Sequence, residues 1–501
     1  MRQTTFHFYE TDETLYQHEY HLNDSFSHGN IAPQDERQKL EQRYADLFVE
    51  SSRFSRKLVS YQGNKTEILH SWVKYREGFS ASLVEIFFDM FGIERGRKVL
   101  DPFAGSCTTL LVAKMLGIDA VGIELLPHCH LAWEMKSSVY DYDLAEIDAL
   151  INKIQNNPVP ATNRRFPHLS ITESAFPSKN EQDLMAYIQW GETIDANTPF
   201  KTLYKAVLMN ILEDISYTRK DGQYLRWDRR AQKIIDRNKI RITQGKKPIK
   251  GIHKGEIPSV REVLLSNLKK IRNDIAQLQK NEIPPGTQEL IQGNTLHVLP
   301  QMADAQFDFV MTSPPYANRY DYTRTYALEL AYLGVGDGIF DLRQEMLSCT
   351  VENRPKYLQL AEVYKAVNRY SDYERVLEIL DSAPVLKEIT NALKTRNARG
   401  EINNKNVISM IEQYFGELTF VFFELFRTSK KGAHVVFVND NVRYAGEVIP
   451  VDVISTQIAE QIGFTARKIY VLPQRKGNSS QQMKKFGRRE LRKSITVWEK
   501  I

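Results

Sequence analysis

The segment RKVLDPFAGSCTTLLVAKMLGIDAVGIELLP, residues 97–127, constrains the fold more than any other stretch of the chain. A short apolar run breaks at Asp101-Pro102, a loop of small residues follows, and a helical apolar pattern runs through Met115. After Gly117 a second short run, DAVGIE, ends in an acid. Strand, tight loop, helix and strand in that order form the first unit of a doubly wound α/β sheet. A second block lies far downstream. There ELIQGNTLHVL (289–299) reads as strand and turn, and FDFVMTSPPY (307–316) as a buried strand ending in two prolines. HVVFVND (434–440), ARKIYVLP (466–473) and SITVWEK (494–500) supply three more strands, and helices are expected over 80–93, 415–428 and 452–463. One sheet built from two separated stretches is the expectation, with the polar residues 1–60 as an N-terminal extension.

Composition removes several function classes. The 501 residues are 42% hydrophobic with a net charge of +5, the balance of a chain that buries a large core. So mild a charge means that an acidic partner must be met by a local patch. Cys107, Cys129 and Cys349 lie far apart without a CxxC pair, which argues against a disulfide framework or a zinc site and for a cytoplasmic setting. No apolar run approaches the roughly 18 residues of a membrane span. The first twenty residues lack the apolar centre of a signal peptide.

Two sites carry chemistry. In the loop Asp101 to Thr109, Gly, Ala and Ser let the backbone approach a ligand, and the following helix offers its free N–H groups. The loop has neither the Lys-Ser/Thr of a P-loop nor a GxGxxG fingerprint. Glu124 closes the second strand, where an acid can accept both ribose hydroxyls. A nucleoside without a pyrophosphate fits this combination; a tight turn with nothing bound is the alternative. The second site is TSPPY, Thr312 to Tyr316. Consecutive prolines stop a central strand and hold Ser313 extended, which would expose its Oγ, carbonyl oxygens and a phenol ring. Such a group suits a planar amine, and an ordinary strand terminator is the alternative.

DPFAGSCTT followed by GIE, with TSPPY on a later strand, resembles the amino-methyltransferases of DNA. Those enzymes carry methyl from S-adenosylmethionine to an exocyclic base nitrogen, with a DPFxGSGT loop, an acid after the second strand and a (D/N/S)PP(Y/F) motif. The resemblance covers residues 61–150, 286–335 and 415–501. It implies a Rossmann-like class I methyltransferase sheet, mostly parallel and of about seven strands. Residues 151–285 would be a basic insertion for target recognition, and 336–414 a helical insertion. It also implies that Asp101, Pro102, Phe103, Ala104, Gly105 and Thr108 shape an S-adenosyl-L-methionine pocket. Glu124 would hold the ribose and Asn294 would meet the adenine. HSWVKYREGFSASLV (70–84) resembles the family's cofactor-carboxylate motif, with Lys74, Phe79 and Ser80 as candidates.

Ser313, Pro314, Pro315 and Tyr316 would be catalytic. The Ser313 hydroxyl and the Pro314 carbonyl would accept the amino hydrogens of a flipped base, and Tyr316 would stack on it. Neither a metal nor a covalent intermediate is required. Ser-Pro-Pro is the family's usual mark of cytosine N4 methylation. Adenine N6 is the alternative, followed by an RNA guanine methyltransferase and by an idle DNA-binding subunit. A restriction-modification system, with a cognate nuclease as partner, is the expected setting. The chain departs from the pattern at Cys107, where the family has glycine, and in placing its main insertion before the Asn294 motif. No Lys or His is evident near Cys107 to make it a reactive thiolate.

Double-stranded DNA is expected on residues 217–254, which hold 13 Lys/Arg against 3 Asp. Arg219, Lys220, Arg226, Arg229 and Arg230 interleave there with Tyr224 and Trp227. A second basic stretch, 473–493, adds Arg475 and Lys476.

Overall fold

A computed structural model describes residues 13–16, 26–194, 197–221, 224–282, 285–472, 483–487 and 489–501. In chain order the strands begin β1 (Thr14–Leu15), β2 (Phe48–Glu50), β3 (Lys98–Asp101), β4 (Asp119–Glu124), β5 (Thr218–Asp221), β6 (Tyr224–Trp227) and β7 (Gln288–Gln292). They continue with β8 (Phe307–Thr312), β9 (Ser429–Asp440), β10 (Val442–Tyr444), β11 (Glu447–Ile449), β12 (Thr465–Leu472) and β13 (Lys493–Glu499). Two compact units share them. One comprises residues 61–298 and 317–354, the other 1–60, 299–316 and 355–501.

In the first unit β3, β4 and β7 lie side by side and parallel, in register Asp101↔Gly122 and Glu124↔Gln292. Val99, Leu100 and Ile123 are fully buried, as the apolar runs require. The helix Thr108–Leu116 packs back onto β4. Gly122 makes that approach feasible: a Cβ there would stand 2.9 Å from the Leu110 side chain and 3.0 Å from Ala104 Cβ. Residues expected as a basic insertion add the helices Ser178–Glu192, Thr198–Asn210, Gln232–Thr243 and Val260–Leu278 and the antiparallel β5–β6 hairpin. The apolar faces of the first, second and fourth of these helices share one core with Leu69, Trp72 and the helix Leu144–Asn156.

The second unit orders its main strands β1-β2-β12-β13-β9-β8. β8 is parallel to β9 and β12 to β2, whereas β13 runs antiparallel to both of its neighbours. The family expectation of a mixed α/β fold with a largely parallel sheet holds. The short strands β1 and β2 go beyond what the sequence pattern can show, because two or three residues are too few to display a period of two. Phe437 stacks on Trp498 at 5.4 Å while Phe422 meets both rings edge-on, which seats the helix Asn406–Thr428 on the sheet.

Buried ion pairs fix the peripheral segments of this unit. Arg492, at the entry to β13, reaches Glu41 at 2.6 Å and Asp452 at 2.6 Å, and lies over the Phe48 ring at 4.3 Å. Arg37 pairs with Glu388 and Glu447, and Arg396 with Glu447. Lys356 and Arg369 grip Glu417 and Glu424 of the long helix. Removing one partner of such a pair would strand a charge in the interior, so each is a strong register device. Among the described residues no helix is long and apolar enough to cross a membrane.

Candidate functional site

The loop after β3 is held from within. Asp101 accepts from Phe103 N through Oδ1 (3.2 Å) and from Thr109 Oγ1 through Oδ2 (2.8 Å), bridging the two ends of the turn. Ala104 N donates to the Ile123 carbonyl at 3.0 Å, and Thr295 Oγ1 donates to the Pro102 carbonyl. Gly105 (φ +52°) and Cys107 (φ +63°) take left-handed conformations that turn the chain into the helix starting at Thr108. The glycine tolerates this freely and the cysteine at some strain. Cys107 is fully buried, its Sγ turned to the Gly105 carbonyl at 3.6 Å. Lys136 does lie near it, donating to the Ser106 carbonyl at 3.2 Å. Burial nonetheless holds the Cys107 thiol well above its ordinary pKa, so it is no thiolate.

Glu124 ends β4 directly beneath this loop. Its Oε2 accepts from Gly105 N at 2.7 Å, and its Oε1 accepts from Leu125 N at 2.8 Å and Leu126 N at 2.7 Å. Burial pushes the carboxyl up to about 7, against the three N–H groups that favour its charged form. β7 carries Asn294 to the same place: Gly293 N donates to the Glu124 carbonyl at 3.0 Å. Asn294 Oδ1 accepts from Leu296 N, while its Nδ2 is buried with no partner among the described residues.

The candidates upstream of the loop divide. Ser80 is buried and caps the helix Ala81–Met90 through Leu83 N, and Phe79 is a core side chain. Both serve the fold in this structure. Lys74 is half exposed and paired with Asp214 at 2.5 Å. Its neighbour Tyr75, not a candidate on sequence, packs its ring on Gly105 and stacks on Tyr326 at 5.2 Å. His128 also stacks on Tyr326, at 4.5 Å, and lies 6.1 Å from the Tyr75 ring; it is buried, and burial draws its pKa down to about 3. Glu77 accepts from the hydroxyls of Tyr320 and Tyr326. Only the aromatic spacing in VKYREGF hints at this cluster.

In the other unit β8 ends at Thr312 and the chain enters Ser313-Pro314-Pro315-Tyr316. Pro314 is buried, and Ser313, Pro315 and Tyr316 are partly exposed. Ser313 Oγ donates to Tyr316 Oη at 3.0 Å. Lys493 Nζ lies 5.2 Å from the centre of the Tyr316 ring and 3.1 Å from Asp440.

The basic hairpin sorts its charges by strand alternation. Thr218, Lys220 and Leu225 point inward and are buried, while Arg219, Asp221 and Arg226 point out. Lys220 therefore leaves the expected DNA surface: it is 2% exposed, bonded to Glu329 and lies over the Tyr326 ring. A period of two on a four-residue strand decides this, and a charge count does not. Arg219 and Arg226 stand directly opposite each other. Arg226 also pairs with Asp221 at 2.7 Å. Arg229 is exposed, whereas Arg230 is bound to the buried Asp228 at 2.8 Å. Trp227 is partly buried against the core with Lys233 above its ring, and Tyr224 opens β6 opposite Asp221. Arg475 and Lys476 lie outside the described residues.

The chain matches the N6_N4_Mtase family model, described as DNA methylase, over residues 4–134, which include the loop and Glu124. It is 54% identical over 478 residues to the type II methyltransferase M.BsoBI of Geobacillus stearothermophilus, spanning 95% of this chain and 94% of that protein. The type II methyltransferases M.AvaI of Nostoc sp. and of Anabaena variabilis are each 40% identical over 470 residues, 92% of either chain.

The Glu124 arrangement has a direct test. Glu124→Gln keeps the side-chain size but turns one acceptor oxygen into an NH2 group. Gly105 N–H, or the Leu125 and Leu126 pair, then loses its acceptor. The expected loss is about 1–3 kcal/mol in chemical denaturation. Amide exchange should accelerate at Gly105 or Leu126, and unchanged protection at both would remove Glu124 as the clasp of this loop.

Proposed function

Because the chain belongs to the N4/N6 amino-methyltransferase family and is a type II DNA methyltransferase, we propose that it methylates the exocyclic N4 of a cytosine flipped out of double-stranded DNA. S-adenosyl-L-methionine is the methyl donor of this reading, and when bound it supplies an electrophilic methyl group. The residues around Glu124 suit it. Oε2 accepts a single N–H and has capacity for a ribose hydroxyl. Asn294 Nδ2, two residues beyond β7 and without a partner among the described residues, is a buried donor in need of an acceptor such as an adenine nitrogen. Asp101, Pro102, Phe103, Ala104, Gly105 and Thr108 form the small-residue turn and helix entry beside them, where a bulkier backbone would stand in the way.

The observation that carries the reaction is the Ser313–Tyr316 hydrogen bond. An aromatic amino nitrogen is a poor nucleophile because its lone pair is delocalised into the ring. Acceptors placed on its two hydrogens draw it toward sp³ and free the lone pair. With its proton given to Tyr316, Ser313 Oγ presents lone pairs, and the Pro314 carbonyl is a second acceptor. Tyr316 would stack on the base, and most of the acceleration would be positioning. Ser rather than Asp before Pro-Pro favours cytosine N4. The modification would shield its site from a nuclease of the same specificity.

Arg219, Arg226 and Arg229 would meet the DNA backbone. Arg219 and Arg226 stand opposite each other on an exposed ladder, and a phosphate could take the place of Asp221 beside Arg226 while bridging to Arg219. Arg230 is better read as a structural partner of Asp228.

Ser313→Ala should lower kcat by roughly 10- to 100-fold, the worth of a lost hydrogen bond in the transition state. Cofactor affinity measured by calorimetry should stay near that of the parent; losing it as heavily as activity would overturn this assignment of the motif. Reversing Arg219, Arg226 and Arg229 to Glu should weaken DNA binding and flatten its log–log salt dependence by roughly 0.9 for each phosphate no longer neutralised. A salt series that superimposes on the parent's would make the hairpin a merely solvated face.

A further inference from the structure

Lys493 closes the basic stretch 473–493, yet its side chain turns inward and is only 12% exposed. The strand register explains its position. β8 runs parallel to β9 with Thr312 beside Phe437, so the chain leaving β8 at Ser313 passes the end of β9. On the far side of β9, β13 begins with Lys493 directly opposite Asp440. The ammonium lies 3.1 Å from the Asp440 carboxylate and beside the Tyr316 ring, whose hydroxyl is 3.0 Å from Ser313 Oγ. Four side chains from three strand ends thus form one line: Asp440, Lys493, Tyr316, Ser313.

We propose that Lys493 is a positioning residue for methyl transfer: anchored by Asp440, its ammonium fixes the Tyr316 hydroxyl and thereby the lone pairs that Ser313 offers the target amino group. An ammonium has donors only, so the phenol must turn an oxygen lone pair toward it and its own proton elsewhere. Ser313 has one proton, and a phenol oxygen held in place gives that proton a fixed direction away from the base. Burial works against the Lys493 charge, but Asp440 and Tyr316 more than offset it and push its pKa up to about 12, so the donor is always present. Burial raises the Tyr316 pKa despite Lys493, so the phenol stays neutral and is an orienting group rather than a base.

This inference rests on Ser313 being the amino-group acceptor, and the experiment separates the two. Single-turnover rates with saturating DNA and cofactor are measured for Lys493→Met, Lys493→Arg, Tyr316→Phe, Ser313→Ala and the Lys493→Met/Tyr316→Phe double variant. Lys493→Met should lose about tenfold to a hundredfold in rate, with DNA KM and cofactor Kd near the parent's. Lys493→Arg should recover most of it. In the Tyr316→Phe background, where the ring remains but the hydroxyl is gone, Lys493→Met should add no further loss. Equal losses in both backgrounds would overturn the proposal, as would a loss confined to DNA KM, which marks a phosphate contact. An active Ser313→Ala would remove the underlying reading. An inactive Ser313→Ala with a fully active Lys493→Met would remove only this inference. Should Lys493→Met not fold, Asp440→Asn, which loosens the ammonium without removing it, carries the same comparison.

Discussion

Three backbone N–H groups converge on one buried carboxylate, that of Glu124. On one side it holds Gly105 in the turn after β3, and on the other it holds the chain leaving β4. The loop is too short and too glycine-dependent to keep its shape by itself. Gly105 and Cys107 occupy left-handed backbone regions, and without the carboxylate the N–H groups of Gly105, Leu125 and Leu126 would lose their acceptor. The carboxylate also sets what the loop can do. It keeps lone-pair capacity on Oε2, and β7, parallel to β4, brings to the same strand end Asn294, whose Nδ2 has no partner among the described residues.

The second unit solves a different problem with similar means. Its strands come from the two ends and the middle of the chain, and buried charge pairs fix the segments packed around them. Arg492 illustrates how one side chain does two jobs. It joins the helix Asp35–Arg43 through Glu41, and the helix Val451–Ile462 through Asp452, to the start of β13. That anchoring also settles where the next residue, Lys493, sits relative to Asp440 and Tyr316. A structural ion network and the chemistry of the Ser-Pro-Pro-Tyr turn therefore meet at two consecutive residues where the chain enters one strand.

The parts of this arrangement legible in the sequence are those encoded locally. DPFAGS and TSPPY announce themselves because backbone approach demands small residues and a strand must stop at Pro-Pro. The strands β3, β4, β8, β9, β12 and β13 are readable as apolar runs. What is not legible depends on pairing. Lys220 counts as basic in the sequence but points inward by strand alternation. Ser80 reads as a ligand-side candidate in a motif, and its capping of a helix shows only in the structure. Tyr75 reaches Gly105 across the fold, thirty residues away in sequence. Lys493 looks like one more cation in a basic loop until the β9–β13 register sets it against Asp440.

The account centres on a serine-led acceptor acting on the amino group of cytosine. Its most direct test is nucleoside analysis. DNA is incubated with the purified chain and S-adenosyl-L-methionine, digested to nucleosides and resolved by mass spectrometry against unmethylated DNA. N4-methyldeoxycytidine as the single modified nucleoside is the predicted result. N6-methyldeoxyadenosine in its place, or no methylated nucleoside from a preparation that binds both DNA and cofactor, would contradict it.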